Sequence, residues 1–270
     1  MHSIRYATIL AALSCSLVCA QQPQPAPTAK DPVPAASPYL REASITQTEG
    51  TLHIAANSPR PLTQVLDALR QKYGWALEYE DPRYTSKLDL VERPGLNDVP
   101  LTVPAGGGFS VDAAVGSAAT APPAEDKTLQ LIVDAYNQSK NPGRFGLRKN
   151  EGGGYSVVGI GAQDDKGKIL VQEAPLDLPI SLPEQPRTAS ETVQLICQKV
   201  AEQSHVPMAV GVTPRALMDH KEVKVGGVKT PARTLLAHTL ESTGHPMYWR
   251  LLFDPKSKGY FLDVHAVRNK

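Results

Sequence analysis

Two glutamates, Glu78 and Glu80, have the type and spacing that acid–base chemistry uses. Side chains two positions apart on a strand point to the same face of the sheet. A pair of carboxylates held together in this way can act as general acid and general base. Leu77 and Tyr79 alternate with the glutamates, however, so the same pattern is typical of a half-buried strand. We therefore expect the two glutamates to lie on a solvated strand face.

Other catalytic patterns in the chain are incomplete. Residues 108–112, Gly-Phe-Ser-Val-Asp, approximate a nucleophile elbow but lack its final glycine. Gly159 and Gly161 begin a dinucleotide fingerprint, but Asp164 stands at the third glycine position. The seven histidines form no HxxxH or HxH pair, which are spacings that metal sites use. We assign no catalytic, cofactor-binding or metal-ligating residue, and we predict a protein that is not an enzyme and uses no cofactor.

Tyr248 and Trp249 are the candidate partner-binding residues. They are adjacent on a predicted strand, so their side chains point to opposite faces. One is expected in the core and the other at the surface, where an exposed aromatic ring can anchor a protein partner. Cys197 lies on the apolar stripe of a predicted helix, which is typical of a small buried residue and not of a nucleophile.

Residues 1–20 have the features of a secretory signal peptide. Arg5 supplies a positive charge, and the apolar run over residues 7–19 is too short to span a bilayer. Val18 and Ala20 fit the small-residue pattern of a cleavage site before Gln21. We expect cleavage between Ala20 and Gln21, a periplasmic or secreted protein, and no transmembrane span in the mature chain.

A lipid anchor is the alternative to a soluble exported protein. Cys15 and Cys19 are the two candidate attachment sites, but Leu13 and Val18 fit the lipidation pattern poorly, so this alternative is not favoured.

The charge of the chain is almost balanced, with 28 Lys and Arg against 27 Asp and Glu. This balance argues against nucleic acid as a partner. The two parts of the chain nevertheless differ: residues 41–186 carry 14 basic and 19 acidic side chains, and residues 187–270 carry 12 and 7. Drift in the composition of two solvated faces is the favoured interpretation. The alternative interpretation is a bipolar surface, through which the two parts of the chain attract each other or bind different partners.

The order of predicted elements indicates a tandem duplication. A Pro/Gln/Ala-rich linker over residues 21–45 precedes a first domain at 46–165, which carries a Pro/Gly-rich insertion at 94–126 that we predict to be mostly a mobile loop. A second domain follows at 166–270. In each domain the predicted order is strand, helix, strand, strand, helix and hairpin. The expected fold class is α+β, with two tandem small two-layer domains, each a short sheet with two helices.

Helix signals support this order. Pro61 stands where a helix begins and Gly74 where it ends, and Thr188 with Glu191 forms a capping box.

Two stretches carry a resemblance to a known family. Residues 223–244, Val-Lys-Val-Gly-Gly-Val-Lys-Thr-Pro-Ala-Arg-Thr-Leu-Leu-Ala-His-Thr-Leu-Glu-Ser-Thr-Gly, resemble the second half of the secretin and TonB-receptor N-terminal short (STN) domain. That family pairs a short valine strand with a Thr-initiated helix, a Leu-Leu pair and a closing Thr-Gly. Residues 61–79, a Leu-rich helix ending in glycine before a strand, look like the first half.

The resemblance implies a small α+β domain of the periplasm that docks on protein partners and carries no catalytic residues. In secretins this domain belongs to the periplasmic ring, and in receptors it relays signals to membrane regulators. The chain departs from the family in its insertion, and we expect no secretin pore domain after the second copy. We therefore predict an envelope protein partner and an adaptor of a secretion, pilus or TonB-type assembly that binds by strand addition. A ligand- or glycan-binding envelope protein and a hydrolase with dispersed catalytic residues are the alternatives.

Overall fold

A computed structural model describes residues 42–48, 50–95, 99–114 and 123–267 of the chain. The predicted cleavage site at Ala20 and Gln21 and most of the predicted linker lie outside these residues. All described residues belong to one compact unit. Among them, no helix combines the length and the apolar character needed to cross a bilayer.

The N-terminal half of this unit, residues 44–171, contains two main helices. As predicted, the first helix begins at Pro61 and ends at Gly74, which has a left-handed φ of 71°. The elements of this half, in order, are β1 (Ser44–Thr48), β2 (Thr51–Asn57), α1 (Pro61–Tyr73), β3 (Leu77–Glu80), β4 (Leu90–Pro94), β5 (Pro100–Pro104), β6 (Gly108–Ala114), α2 (Glu125–Gln138), β7 (Arg144–Lys149), β8 (Tyr155–Gln163) and β9 (Ile169–Val171), with a 3₁₀ turn at Lys87–Asp89.

The C-terminal half, residues 179–266, follows a second 3₁₀ turn at Pro175–Asp177. The predicted capping box of Thr188 and Glu191 is confirmed, and the helix that it starts ends at His205 with a left-handed φ of 55°. The elements are β10 (Pro179–Thr188), α3 (Ala189–Ser204), β11 (Met208–Val210), α4 (Arg215–Met218), β12 (Glu222–Pro231), α5 (Ala232–Glu241), β13 (Met247–Asp254) and β14 (Gly259–Ala266).

Three strand pairings recur in the two halves. β2 pairs antiparallel with β6 as β10 does with β12, β3 pairs parallel with β8 as β11 does with β14, and β7 pairs antiparallel with β8 as β13 does with β14. One hydrogen bond recurs at the same place: Tyr155 N–H donates to Ala76 O at 2.9 Å, and Tyr260 N–H donates to Pro207 O at 2.8 Å. Positions in one half can therefore be matched to positions in the other, residue by residue.

The two halves share one sheet. β13 lies parallel to β3, with Arg250 opposite Tyr79 and Leu251 opposite Glu80. The result is a seven-stranded sheet in the order β11-β14-β13-β3-β8-β7, with β9 beside β8. The described chain is thus α+β, with one sheet running through both halves where the sequence predicted two separate short sheets.

Each half has its own hydrophobic core, and the two cores lie on opposite faces of the shared sheet. Leu77 and Tyr79 pack in the core of the N-terminal half, whereas Trp249 and Leu251 pack in the core of the C-terminal half. Paired residues on parallel strands point to the same face, so the pairing of Leu251 with Glu80 places the two cores on different faces.

Helices α1, α2 and α3 lie between two sheets. Helix α1 contacts β2 of a small sheet and β3 of the shared sheet, and α3 contacts β10 and β11 in the same way. Where α1, α2 and α3 lie, the domains therefore have three layers and not the predicted two, because each of these helices contacts a small sheet on one side and the shared sheet on the other.

Three segments differ from their predicted assignments. Ser44 and Ile45, predicted as linker, begin β1, where Ile45 packs against the core. Strand β6 lies within the insertion predicted as a loop, and it forms because Phe109 and Ala113 are buried against β2. Strand β9, predicted as the start of the second domain, instead pairs with β8 of the N-terminal half.

Candidate functional site: the joint between the halves and its open counterpart

The joint between β3 and β13 is organised around the fully buried carboxylate of Asp81. The backbone N–H of Asp81 donates to Leu251 O at 2.8 Å. Its Oδ2 accepts from Phe253 N at 2.9 Å and from Arg60 Nε at 2.7 Å, and its Oδ1 accepts from Tyr79 Oη at 2.7 Å. A buried charge is tolerated when it is paired and hydrogen-bonded in this way, so Asp81 holds the two halves together.

A second set of contacts connects β13 to helix α1. Arg250 Nη1 donates to Asp67 Oδ2 at 3.1 Å. The guanidinium of Arg70 lies 3.8 Å from the ring centroid of Tyr248, which in turn stacks on His265 at 5.1 Å. Burial and the nearby Arg250 lower the pKa of His265. Tyr248 thus fills the space between helix α1 and the strand that docks beside it.

The two predicted partner-binding residues have different surroundings. Trp249 is fully buried, with the guanidinium of Arg233 5.1 Å from its ring centroid. It has no exposed surface with which to contact a partner. Tyr248 is half-buried; it lies against Arg70 of the other half and stacks on His265 of its own half. These contacts show how an aromatic residue on β13 docks against a helix.

The solvated face expected for Glu78 and Glu80 is wrong. Glu80 is fully buried and forms an ion pair with Arg233 of α5. Glu78 accepts hydrogen bonds from Ser156 Oγ at 2.6 Å and from Asn150 Nδ2 at 3.0 Å. Burial raises the pKa of both carboxyls. The face is buried because the joint places the core and helices of the C-terminal half over this side of β3.

The other patterns that approximate catalytic motifs lie in regular strands. Ser110 is exposed on β6, opposite Ala55, and not at a strand-to-helix turn. Gly159 and Gly161 lie inside β8. Within the described ranges, no group of three His, Cys, Asp or Glu side chains is placed to hold a metal ion. The buried polar groups around Glu78 and Glu80 connect elements of the fold, and no cavity opens onto them among the best-formed pockets of the described chain.

The edge of β11 is the counterpart of the edge at which β3 accepts β13. Pro207 O and Gly211 N–H bond to β14, so in a parallel ladder the N–H and C=O groups of Met208 and Val210 point away from it. In the described part of the chain no strand pairs with this side of β11. Val210 matches Tyr79, whose backbone faces β13 at the joint.

A shallow, widely open groove of about 490 Å³ lies between this open edge and helix α3. Its floor is mainly apolar, and its rim carries two glutamine side chains. The lining residues are Gln194, Cys197, Gln198, Ala201 and residues 207–210.

The groove is equivalent in position to the space that β13 fills at the joint. Counting back from the left-handed residue after each helix, Gln198 matches Asp67 and Ala201 matches Arg70. Asp67 and Arg70 are the residues that receive Arg250 and Tyr248 at the joint. The chain thus contains one docking site occupied by its own strand and a second, similar site that is open.

Comparisons with protein-family models, with curated proteins and with solved structures found no match to this chain. Its candidate site is therefore interpreted from geometry alone. Sequence reasoning missed the joint, because Arg60, Asp81 and Arg233 belong to no recognisable motif. The one signal in the sequence was the pair of carboxylates, Glu78 and Glu80, in an otherwise apolar strand. This pair indicates a buried ion pair only when both faces of the strand are known to be covered.

Proposed function

We propose that this protein is a non-enzymatic protein–protein interaction module whose open β11 edge and neighbouring groove accept an extended strand from a partner. The observation that supports the proposal is the joint, where the matching edge of β3 accepts β13. Strand addition of this kind gains affinity from main-chain hydrogen bonds and needs few specific side chains. An exposed strand edge beside an apolar groove supplies both parts of such a site.

The same proposal includes two tandem STN-like domains in an exported protein of the cell envelope. The recurrence of three strand pairings and of the hydrogen bonds at Tyr155 and Tyr260 supports the duplication. The features of residues 1–20 support export to the periplasm or beyond. The partner would then be an envelope protein, such as a component of a secretion, pilus or TonB-type assembly.

The geometry of the groove restricts the partner strand. The strand must run parallel to β11 to repeat the pairing seen at the joint. Its alternate side chains would lie against Cys197 and Ala201, a floor that favours apolar side chains or long apolar stems. Gln194 and Gln198 at the rim can hydrogen-bond to polar side chain ends.

Site-specific crosslinking tests the proposal. A photo-crosslinking amino acid replaces Gln198 in the groove, and as a matched control it replaces Gln203, which is exposed on the same helix away from the groove. Each protein is irradiated in native envelope extract, and the crosslinked peptides are sequenced. We expect a specific partner segment to be captured from position 198 and not from position 203.

A Val210→Pro variant makes the test sharper. Its lost N–H points away from β14, so the fold keeps its ladder while the open edge loses a donor. Capture from position 198 should fall at least about tenfold, the loss expected when one or two main-chain hydrogen bonds are removed. The proposal fails if capture from position 198 equals that from position 203, or if Val210→Pro leaves it unchanged.

A further inference from the structure

We infer that the strand received by the β11 edge is β7 of a second copy of this chain, so that the protein associates head to tail. This inference rests on the proposed function of that edge. Within the described residues, β7 forms the opposite end of the seven-stranded sheet from β11. Within the described chain, each molecule therefore carries one strand without a neighbouring strand on its outer side at each end of the sheet. On the outer side of β7, the N–H and C=O of Phe145 are bonded to the side chain of Asn137, which an incoming strand would have to displace there.

β7 is the counterpart of β13, the strand that docks at the joint. Lys149 pairs with Tyr155 on β8 as Phe253 pairs with Tyr260 on β14. Counting along the strands, Leu147 then matches Leu251. The open end of one molecule thus consists of the same element that its other half uses to dock.

The register at the joint can be transferred to the contact between copies. Arg250 lies opposite Tyr79 at the joint. The matching residues are Gly146 on β7 and Val210 on β11, so we expect Gly146 of one copy opposite Val210 of the next. Gly146 has no side chain that would have to fit into the groove.

The strand directions agree with this pairing. β3 and β13 are parallel, β13 and β14 are antiparallel, and β14 and β11 are parallel, so β11 runs opposite to β3. β7 also runs opposite to β3, because it is antiparallel to β8. β7 and β11 consequently run in the same direction, and a second copy shifted along the sheet presents β7 parallel to β11.

This contact joins two different surfaces, which makes it heterologous. The two halves of a molecule are related by a half-turn about an axis along the sheet, since their strands run oppositely and their cores lie on opposite faces. The half-turn, combined with a shift along the sheet, relates each half to the next one. Two such operations restore the starting orientation of a half, so further copies can be added without limit and the association is not a closed dimer.

Charge supports a second copy as the occupant. Residues 41–186 carry an excess of five acidic side chains (14 basic, 19 acidic), and residues 187–270 carry an excess of five basic ones (12 basic, 7 acidic). Head-to-tail contact places the half with the acidic excess next to the half with the basic excess, although β7 itself carries Arg144, Arg148 and Lys149. Such complementarity favours encounter in the right orientation and weakens as salt is added.

The contact between copies is weaker than the joint inside one chain. Val212 stands where Asp81 stands at the joint, so the buried carboxylate that binds Phe253 has no equivalent at the open edge. The N–H of Val212 is also already bonded, at 2.8 Å, to Asp263 Oδ1. Association should therefore be reversible and depend on concentration.

Two edge variants test the inference by complementation. Val210→Pro blocks the β11 edge, and Leu147→Pro blocks the β7 edge, because Leu147 matches Leu251, whose carbonyl faces the partner strand at the joint. In sedimentation velocity, the unaltered protein should form species larger than dimers as its concentration rises, and salt should reduce them. Each variant alone should be monomeric, and an equimolar mixture should form dimers and nothing larger.

The controls separate misfolding and a foreign partner from failure of the inference. Thermal unfolding and circular dichroism check that both proline variants are folded. If Val210→Pro is not, Gln198→Trp replaces it by filling the groove, with Gln203→Trp as its control. If Leu147→Pro is not, Lys149→Pro replaces it, because Lys149 matches Phe253, whose N–H also points to the partner side at the joint. The inference is overturned if the unaltered protein stays monomeric at every concentration, or if the mixture of folded variants forms no dimer. If the chain is monomeric and a different protein is captured at position 198, the inference of a second copy is rejected and the proposed function is retained. If nothing is captured, both the inference and the proposed function are rejected.

Discussion

The backbone N–H of Phe253 donates a 2.9 Å hydrogen bond to the buried carboxylate of Asp81, across a separation of 172 positions in sequence. This bond connects β13 of one half to the end of β3 in the other. The same carboxylate holds the guanidinium of Arg60, which also donates to Phe253 O at 2.7 Å. Arg60 and Phe253, from distant parts of the chain, thus meet at the Asp81 carboxylate. We infer that the stability of the shared sheet depends on this carboxylate.

Replacement of Asp81 by alanine should destabilise the fold strongly. The change leaves the Arg60 guanidinium mostly buried without its anion, and removing one partner of a buried pair costs about 3–5 kcal/mol. Urea unfolding followed by far-UV circular dichroism measures this loss. Asp112→Ala is the control, because the pair of Asp112 with His53 is exposed and such pairs contribute about 0–1 kcal/mol. Equal effects of the two substitutions would contradict the role assigned to Asp81.

The ion pair of Arg233 and Glu80 predicts a stability loss that depends on pH. Burial raises the pKa of Glu80 above its ordinary value, and attraction by Arg233 opposes that rise. A carboxyl with a raised pKa keeps its proton longer in the folded state than in the unfolded state, so its contribution to stability falls as the pH rises through that interval. Arg233→Ala removes the attraction, raises the pKa further and makes the fall larger.

Arg233→Ala should therefore cost more at neutral pH than under acidic conditions, where Glu80 of the variant is protonated. Urea unfolding of the variant and the unaltered protein at several pH values gives the difference directly. Adding Glu80→Gln to Arg233→Ala provides the control, since a neutral amide should abolish most of the pH dependence. A stability difference that stays constant with pH would show that the charge of Glu80 is not what Arg233 stabilises.

Cys197 should react very slowly in the folded protein. Burial raises the pKa of its thiol to about 12, so little thiolate is present near neutral pH. We expect alkylation by iodoacetamide at about pH 8 to be at least about a hundredfold slower than in urea, where the thiol regains an ordinary pKa. Mass spectrometry of timed samples measures both rates.

A matched control places a second cysteine on the same helix. Gln203 is exposed, so Gln203→Cys should be alkylated quickly in the folded protein while Cys197 is not. Rapid alkylation of Cys197 without urea would mean that the groove widens readily and exposes the buried thiol. The groove could then not serve as a preformed docking site.

Local signals in the sequence predicted the elements and their order. The proline and glycine around α1, the capping box before α3 and the alternating apolar residues of the hairpins each act over a few neighbouring positions. Such signals determine where a helix begins or which residues share a strand face. They also revealed that the same order of elements occurs twice. Strand β6 was missed because its glycine and alanine content is typical of a loop, although pairing with β2 makes it a strand.

Which strand edge meets which was decided only by the tertiary structure. β3 and β11 occupy matching places in their halves and look alike as short half-buried strands, yet one accepts β13 and the other stays open within the described chain. That choice covers the second face of β3, buries Glu80 and places Tyr248 between the halves. The sequence determined the elements because their signals are local. It did not determine the joint, because a backbone edge offers the same N–H and C=O groups whatever its side chains, and only the packing of both halves selects its partner.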